Sequence, residues 1–377
     1  MANFLDYLLW RGDLSFRERP FNEVDNLILS ELAYMDMDGF VPADGSGDTT
    51  LSEVYGRYLE AGRDQSHMIN DPLPLLEQAA LSERFGNLRL RFYVSETDTE
   101  KQYQFSAVTF FLDDDSLYLA YRGTDTSIVG WREDLNMGCL SETPGQLAAV
   151  DYLNRVAEST SQPLRVGGHS KGGNFAAYAA AFCKESVQAE RILQVYSNDG
   201  PGFSTEVTQS EGYGRVLDRI ALITPESSLV GILLNHKEER QVVKSSASGI
   251  LQHNPYSWMV RGTAFEHVDQ LSPASMYLHE TLKLWIDGLS EGQRLHVVSA
   301  VFDPLDAAGA ATLEELGENK LTTLGSVLKA ASRMDEEIQK DFIGAIRSLA
   351  QVGTDVLRDE MKNAFAKWEA ERAKKGE

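Results

Sequence analysis

The sequence has few cysteines and few basic residues, and each scarcity excludes a class of protein. Only two cysteines occur in 377 residues, Cys139 and Cys183, which is too few for a disulfide framework, and their spacing does not suit metal ligation. Basic residues number 35 against 57 acidic ones, giving a formal net charge of −22. Such a field repels nucleic acid and anionic membrane surfaces. We therefore expect neither a nucleic-acid-binding protein nor a disulfide-rich one.

Long apolar runs and targeting features are also lacking. No stretch of about 18 consecutive apolar residues occurs, so we expect no transmembrane segment. The first residues, MANFLDYLLWRGDLSF, include Asp6 in their apolar part, with no basic leader and no small-residue cleavage site. We therefore expect a cytoplasmic protein.

What the sequence does contain falls into three segments with different apolar periods. Residues 1–84 are predicted to form two helices with a linking loop, packed on the core, and Asn22 is the expected N-cap of the helix in FNEVDNLILSELAYMDM. Residues 85–271 begin with consecutive strands and continue as alternating helices and apolar strands. Residues 272–377 are helical and highly charged. We expect this last segment to be a cap or appendage that packs on the core or on a second copy of the chain.

The alternation in the middle segment predicts the fold class. The stretches GQLAAVDYLNRVAES, LRVGGH, KGGNFAAYAAAFCK and RILQVYSND follow one another as helix, strand, helix and strand. Helices that alternate with apolar strands are typical of a parallel sheet covered on both faces. We predict an α/β fold with a mostly parallel central sheet.

Ser170 is the candidate nucleophile. It lies between Gly168 and Gly172, directly after the strand LRVGGH and directly before a helix. This G-x-S-x-G context exposes a serine on a sharp turn at a helix N-terminus. The alternative is that Ser170 is only a residue of a tight turn.

A serine nucleophile needs a base, and His253 is the histidine that suits this role best. His169 adjoins Ser170 in the same turn, where its side chain should point away from the hydroxyl. The order of nucleophile, acid and histidine leaves His236, His253 and His267. His253 lies in LQHNPYSW, a loop context that suits a base, whereas His267 is expected at the surface.

Three separated segments resemble the class 3 lipases. YRGTDTSIVGWREDLNM (121–137) is similar to their arginine-glycine-serine/threonine segment, which leads into the lid. GGHSKGGN is similar to their nucleophile elbow, and HNPYSW to the segment that carries their base. Nearly the whole chain also resembles a bacterial family of lipase-like α/β-hydrolases. The resemblance implies an α/β-hydrolase fold, with the N-terminal and C-terminal helical segments added to it.

The resemblance also implies roles for individual residues. Thr124 would be an oxyanion-hole residue through its backbone N–H, with its hydroxyl as a candidate additional donor. The N–H of Lys171 would be the other donor, and His253 would be the general base. For the acid, two alternatives stay open. Glu226 follows the strand RIALI, where the resembled lipases carry their aspartate. Asp199, in YSNDGPGF, follows the preceding strand, although it could equally be a turn residue that caps backbone N–H groups.

The sequence departs from the lipase pattern at two points. Lys171 stands where those lipases usually carry leucine, and its side chain is expected either in solvent at the helix start or in contact with substrate. The candidate lid, residues 125–136, is more charged than a lipid-docking lid should be. Both departures disfavour a triglyceride substrate and favour a soluble or polar-headed ester. We expect a serine hydrolase for a small-molecule acyl ester or lipid-like substrate, with no metal or organic cofactor. The alternatives are a lysophospholipase, thioesterase or amidase with the same residues, or a scaffold without activity.

Overall fold

The fold is described from a computed structural model, which covers residues 2–62, 71–125, 127–137, 140, 142–288, 290 and 292–294. In this part of the chain the α-helices are α1 (Phe4–Arg11), α2 (Glu23–Leu32), α3 (Leu51–Ala61), α4 (Leu73–Ala80), α5 (Ile128–Asn136), α6 (Pro144–Ser159), α7 (Lys171–Phe182), α8 (Glu185–Glu190), α9 (Thr205–Gln209), α10 (Glu211–Val216) and α11 (Pro273–Gly288). The strands are β1 (Thr49–Thr50), β2 (Arg89–Asp98), β3 (Tyr103–Phe111), β4 (Leu117–Tyr121), β5 (Leu164–His169), β6 (Ile192–Asn198), β7 (Ile220–Pro225), β8 (Arg240–Val243), β9 (Val260–Arg261), β10 (Ala264–Phe265) and β11 (His267–Val268).

One mixed sheet forms the centre of the described fold. Its strand order is β1-β2-β3-β4-β5-β6-β7-β8-β11, and β9 pairs separately with β10. The pairings from β4 to β8 are parallel, whereas those from β1 to β4 and between β8 and β11 are antiparallel. The α/β character is confirmed, but the expected mostly parallel sheet holds only for its centre. The strands β2, β3 and β4 follow one another through short turns, which join antiparallel neighbours and cannot join parallel ones.

The N-terminal segment contains more structure than the two predicted helices. Four helices, α1 to α4, and the short edge strand β1 lie in its described part. The predicted cap of α2 is confirmed, because the Asn22 side chain accepts hydrogen bonds from the N–H groups of Val24 and Asp25. Two further capping boxes, made by Asn3 with Asp6 and by Thr50 with Glu53, begin α1 and α3. Because the prediction of two helices does not include these cap signals, it falls short of the four helices observed.

Helices cover both faces of the sheet, as the alternating pattern predicts. Side chains alternate along β4: Tyr118 and Ala120 join a core with helices α1 to α4, while Leu117, Leu119 and Tyr121 join a second core with α6 and α7. This alternation follows from the period of two in a strand. The carboxyl ends of β5 and β6 therefore lie between two helical layers.

The C-terminal segment can be followed only in part. Helix α11 is confirmed as helical, and residues 295–377, for which an amphipathic cap or oligomer contact is predicted, lie outside the described residues. The boundaries at residues 84 and 271 remain predictions. Within the part that the structure covers, no helix is both long and apolar enough to cross a membrane.

Candidate active site

Ser170 lies on the sharp turn between β5 and α7. Its backbone has φ 57° and ψ −130°, a region that side-chain-bearing residues rarely adopt. The flanking glycines are required by close approach, because a Cβ on Gly168 would lie 2.3 Å from the backbone carbon of Gly172, and one on Gly172 would lie 2.1 Å from the Tyr121 carbonyl oxygen. The G-x-S-x-G spacing therefore reflects packing of the turn against β4.

His253 contacts both Ser170 and a carboxylate. Its Nε2 lies 3.0 Å from Ser170 Oγ, and its Nδ1 lies 2.7 Å from Asp199 Oδ2. The Asp199 side chain is fully buried, whereas that of His253 is 22% exposed. A carboxylate opposite Nδ1 favours the proton on that nitrogen, which leaves Nε2 free to accept the serine proton. The three side chains thus form a continuous hydrogen-bonded chain from a buried charge to an accessible hydroxyl.

Of the two candidate acids, Asp199 makes this contact and Glu226 does not. Asp199 follows β6, the direct neighbour of β5 in the sheet, whereas Glu226 follows β7, one strand farther away. The Oδ1 atom of Asp199 accepts hydrogen bonds from the Ser228 hydroxyl and from the N–H of Gly231 at 3.2 Å. The loop that carries Glu226 therefore contributes Ser228 to hold Asp199. The geometry favours Asp199 over Glu226.

Thr124 lies beside the turn of Ser170 and is hydrogen-bonded to Asp134. A Cβ on the preceding Gly123 would come within 3.2 Å of Ser170 Cβ, which places this segment against the nucleophile. The Thr124 hydroxyl donates to Asp134, with Oγ1 at 2.8 and 2.7 Å from the two carboxylate oxygens. Burial raises the pKa of Asp134 to about 6, although nearby Lys171 and the Thr124 hydrogen bond act in the opposite direction.

The side chain of Lys171 is buried, so the expectation of a solvated helix-start residue is wrong. Its Nζ lies 3.1 Å from Glu133 Oε2, 3.3 Å from Gln104 Oε1 and 3.8 Å from Asp134 Oδ1. The Lys171 side chain is 1% exposed and that of Glu133 is fully buried. Helix α5 supplies the counter-ion that allows a lysine in the interior. The backbone N–H of Lys171 remains at the first position of α7, where it has no intrahelical acceptor.

The charge of the candidate lid is partly turned inward. Glu133 Oε1 accepts the N–H of Gly145, and its Oε2 accepts the N–H of Gln104 as well as the ammonium of Lys171. This anchors α5 to β3 and to the start of α6. Because Glu133 is turned inward, the number of acidic residues in this segment overstates the charge of its outer surface. The lid charge is therefore weaker ground for disfavouring a triglyceride substrate.

The remaining candidate histidines have other partners. His236 Nδ1 lies 2.8 Å from Glu238 Oε1, and burial lowers the pKa of His236 despite this carboxylate. His267, 41% exposed, contacts Glu23 Oε1 through its Nε2 at 2.9 Å. Neither contacts Ser170 in the described hydrogen bonds. Their placement agrees with the choice of His253.

Sequence reasoning missed four side chains of this region: Glu31, Glu133, Asp134 and Ser228. The run WRED could have drawn attention to Glu133 and Asp134, because a lysine at the start of α7 has to be paired if it is buried. No sequence signal points to Glu31 or Ser228. In the described ranges, no group of three or more His, Cys, Asp or Glu residues could hold a metal ion.

Comparisons with solved structures find several lipases whose overall similarity to this chain is weak. The native Rhizomucor miehei lipase propeptide complex is 18% identical with a TM-score of 0.34, and the alignment covers 50% of this chain and 63% of the lipase. M37 lipase is 15% identical with a TM-score of 0.34, covering 45% of this chain and 65% of that one. Lip2 lipase from Yarrowia lipolytica is 12% identical with a TM-score of 0.35, covering 60% and 87%. The chain spans less than two thirds of the first two lipases.

Comparisons of the sequence itself identify a family. None of the curated proteins compared matches the chain. The family model described as Mbeg1-like matches residues 79–303, a range that contains the turn of Ser170, Asp199 and His253. Because this range is more than half of the 377 residues, the chain belongs to the Mbeg1-like family.

Proposed function

We propose that the protein is a serine hydrolase of the α/β-hydrolase type that cleaves an acyl ester through an acyl-enzyme intermediate. The observation that carries the proposal is the hydrogen-bonded chain from Asp199 through His253 to Ser170, with distances of 2.7 and 3.0 Å. A serine hydroxyl is a weak nucleophile until a base accepts its proton, and this arrangement supplies the base and its orienting carboxylate. The strained backbone of Ser170 at the start of a helix supports the same reading.

In the proposed reaction, Ser170 Oγ attacks the acyl carbonyl carbon and its proton moves to His253 Nε2. The N–H groups of Thr124 and Lys171 bind the oxyanion that forms. The C–O bond to the leaving alcohol then breaks, and His253 returns the proton to that alcohol. Water attacks the acyl-enzyme by the same route, releasing the carboxylic acid and free Ser170. Asp199 orients the His253 ring through Nδ1 and stabilises the imidazolium that forms.

The proposal is tested with a fluorophosphonate, which reacts with activated serines regardless of the natural substrate. Its phosphorus should bond to Ser170 Oγ with loss of fluoride, so that the native protein is labelled once and Ser170→Ala is not labelled. Ser161→Ala is a matched control, since Ser161 is exposed before the amino end of β5, and its labelling should equal that of the native chain. Labelling at another residue, or none in folded protein, would favour a scaffold without activity.

A substrate comparison then separates the possible leaving groups. Matched ester, thioester, amide and lysophospholipid substrates should all depend on Ser170, because the nucleophile and base do not select the leaving group. We expect the ester to be cleaved fastest. A clear preference for thioester, amide or lysophospholipid would replace the ester in the proposal while retaining the serine mechanism.

A further inference from the structure

A second buried acid and histidine lie directly behind the proposed base. His169 precedes Ser170, and its Nε2 lies 2.9 Å from the backbone carbonyl oxygen of His253. The two imidazole rings are also in contact, with centroids 4.7 Å apart and planes inclined by 34°. On its other side, His169 Nδ1 lies 3.2 Å from Glu31 Oε1, and both side chains are more than nine-tenths buried.

These contacts place a proton on Nε2 of His169 and favour a second one on Nδ1. A carbonyl oxygen can only accept, so Nε2 must carry a hydrogen. The Nδ1 nitrogen faces a carboxylate oxygen at ion-pair distance, and Glu31 Oε1 is buried with no hydrogen-bond partner of proper geometry. An ionised carboxylate in the interior needs a positive partner. A second proton on Nδ1 would therefore give the Glu31 carboxylate a counter-ion at 3.2 Å, while Nε2 donates to the His253 carbonyl.

The groups around His169 agree with a cation at this position. They are Glu31 from α2, Tyr34 from the turn after it, Asp199 after β6 and His253 itself. Burial alone would lower the pKa of His169, but Glu31, Asp199 and the His253 carbonyl together raise it. Tyr34, whose hydroxyl lies 3.3 Å from Nδ1, stays neutral because burial raises its pKa well above the ordinary value.

We propose that Glu31 and His169 form a buried ion pair that positions the proposed base and places a positive charge against its imidazole ring. This inference rests on the proposed serine hydrolase function. The hydrogen bond from Nε2 holds the backbone of His253, and the ring contact places a positive charge against its imidazole. Of the two charges in the pair, that of His169 lies nearer to the His253 ring, because Glu31 contacts Nδ1 of His169, whereas Nε2 faces His253. A neighbouring cation disfavours a second protonated imidazole.

The pair can be tested by changing its charge while keeping a donor to the His253 carbonyl oxygen. In Glu31→Gln, the buried His169 loses its counter-ion and becomes neutral. In His169→Gln, the side-chain amide can still donate to the His253 carbonyl. Both variants should move the midpoint of the pH profile of fluorophosphonate labelling upward by about one unit, which is about a tenfold slower reaction on the acidic limb. The plateau at high pH should change by no more than about threefold.

Glu23→Gln is the matched control. Glu23 lies on the same helix α2 and also contacts a histidine, His267, but this pair is partly exposed and is separate from His253. Its pH profile should match that of the native chain. His169→Phe, which removes the donor as well as the charge, should also lower the high-pH plateau by about tenfold or more. An unchanged midpoint in both Glu31→Gln and His169→Gln would overturn the charge effect, and an unchanged plateau in His169→Phe would overturn the positioning.

A second measurement does not depend on hydrolase function. In protein labelled with ¹⁵N-histidine, which has seven histidines in all, the His169 ring should show two protonated nitrogens at neutral pH and one in Glu31→Gln. A singly protonated His169 in the native protein would refute the ion pair even if Ser170 did not react. Absence of labelling in a native protein with a doubly protonated His169 would instead refute the proposed function and leave the pair as a structural one.

Discussion

Replacing Lys171 by methionine should destabilise the protein strongly. The Lys171 side chain is 1% exposed and Glu133 is fully buried, with 3.1 Å between Nζ and Oε2. Methionine fills a similar volume, so the main loss is the charge and its hydrogen bonds. Leaving one member of a buried ion pair without its partner costs about 3–5 kcal/mol. Since the N–H groups of Gln104 and Gly145 still bind Glu133, we expect the lower end, about 3 kcal/mol.

The cost should depend on pH through Asp134. The folded-state pKa of this carboxyl is already raised to about 6 by burial, and Lys171 opposes that rise. A carboxyl with a raised folded-state pKa contributes stability below its unfolded-state pKa, and this contribution is lost as the pH rises through the folded-state value. Removing Lys171 raises the folded-state pKa further, so the destabilisation should be about 1 kcal/mol larger at pH 8 than at pH 5.

Urea denaturation at the two pH values measures this effect. Lys184→Met is the matched control, because Lys184 forms an ion pair with Glu158 in which the side chains are 57% and 60% exposed. Its loss should cost less than about 1 kcal/mol. The double variant Lys171→Met with Glu133→Gln should recover at least half of the lost free energy of unfolding. A cost below about 1 kcal/mol for Lys171→Met, equal to that of the control, would refute the reasoning.

Two further predictions concern the acid and the turn. Asp199→Asn should slow fluorophosphonate labelling by up to about 10⁴-fold, because His253 loses the carboxylate that fixes its tautomer. Glu226→Gln should be labelled at near the native rate. Slow labelling of Glu226→Gln with near-native labelling of Asp199→Asn would instead make Glu226 the acid. Gly123→Ala should lower the free energy of unfolding by about 1–3 kcal/mol, because its Cβ would lie 2.7 Å from a backbone carbonyl oxygen. Gly56→Ala, with open space around the added Cβ, should instead stabilise α3 by about 0.5–1 kcal/mol; equal denaturation midpoints for the two alanine variants would contradict the clash.

Local patterns in the sequence were enough to predict much of the fold. Apolar periodicity located β2 to β7 and the helices α6 and α7, and the side-chain chemistry of Asn22 located the start of α2. The same kind of reasoning selected Ser170 from its two glycines and the elements around it. Such features depend on residues a few positions apart, so they can be read without knowing what the segment packs against.

The tertiary structure decided which distant side chains become partners. A carboxylate after β6 and one after β7 look equivalent along the chain, and only the strand order makes Asp199 rather than Glu226 the neighbour of His253. From the sequence, the Lys171 side chain was expected in solvent or in contact with substrate, whereas in the structure it is buried against Glu133 of α5. A buried charge needs a counter-ion, which can lie anywhere in the sequence. Glu133 is 38 positions from Lys171, and Glu31 is farther still from His169, so no local pattern in the sequence indicates either pair. The sequence therefore determined the elements and the nucleophile candidate, and the packing determined the charge pairs that surround it.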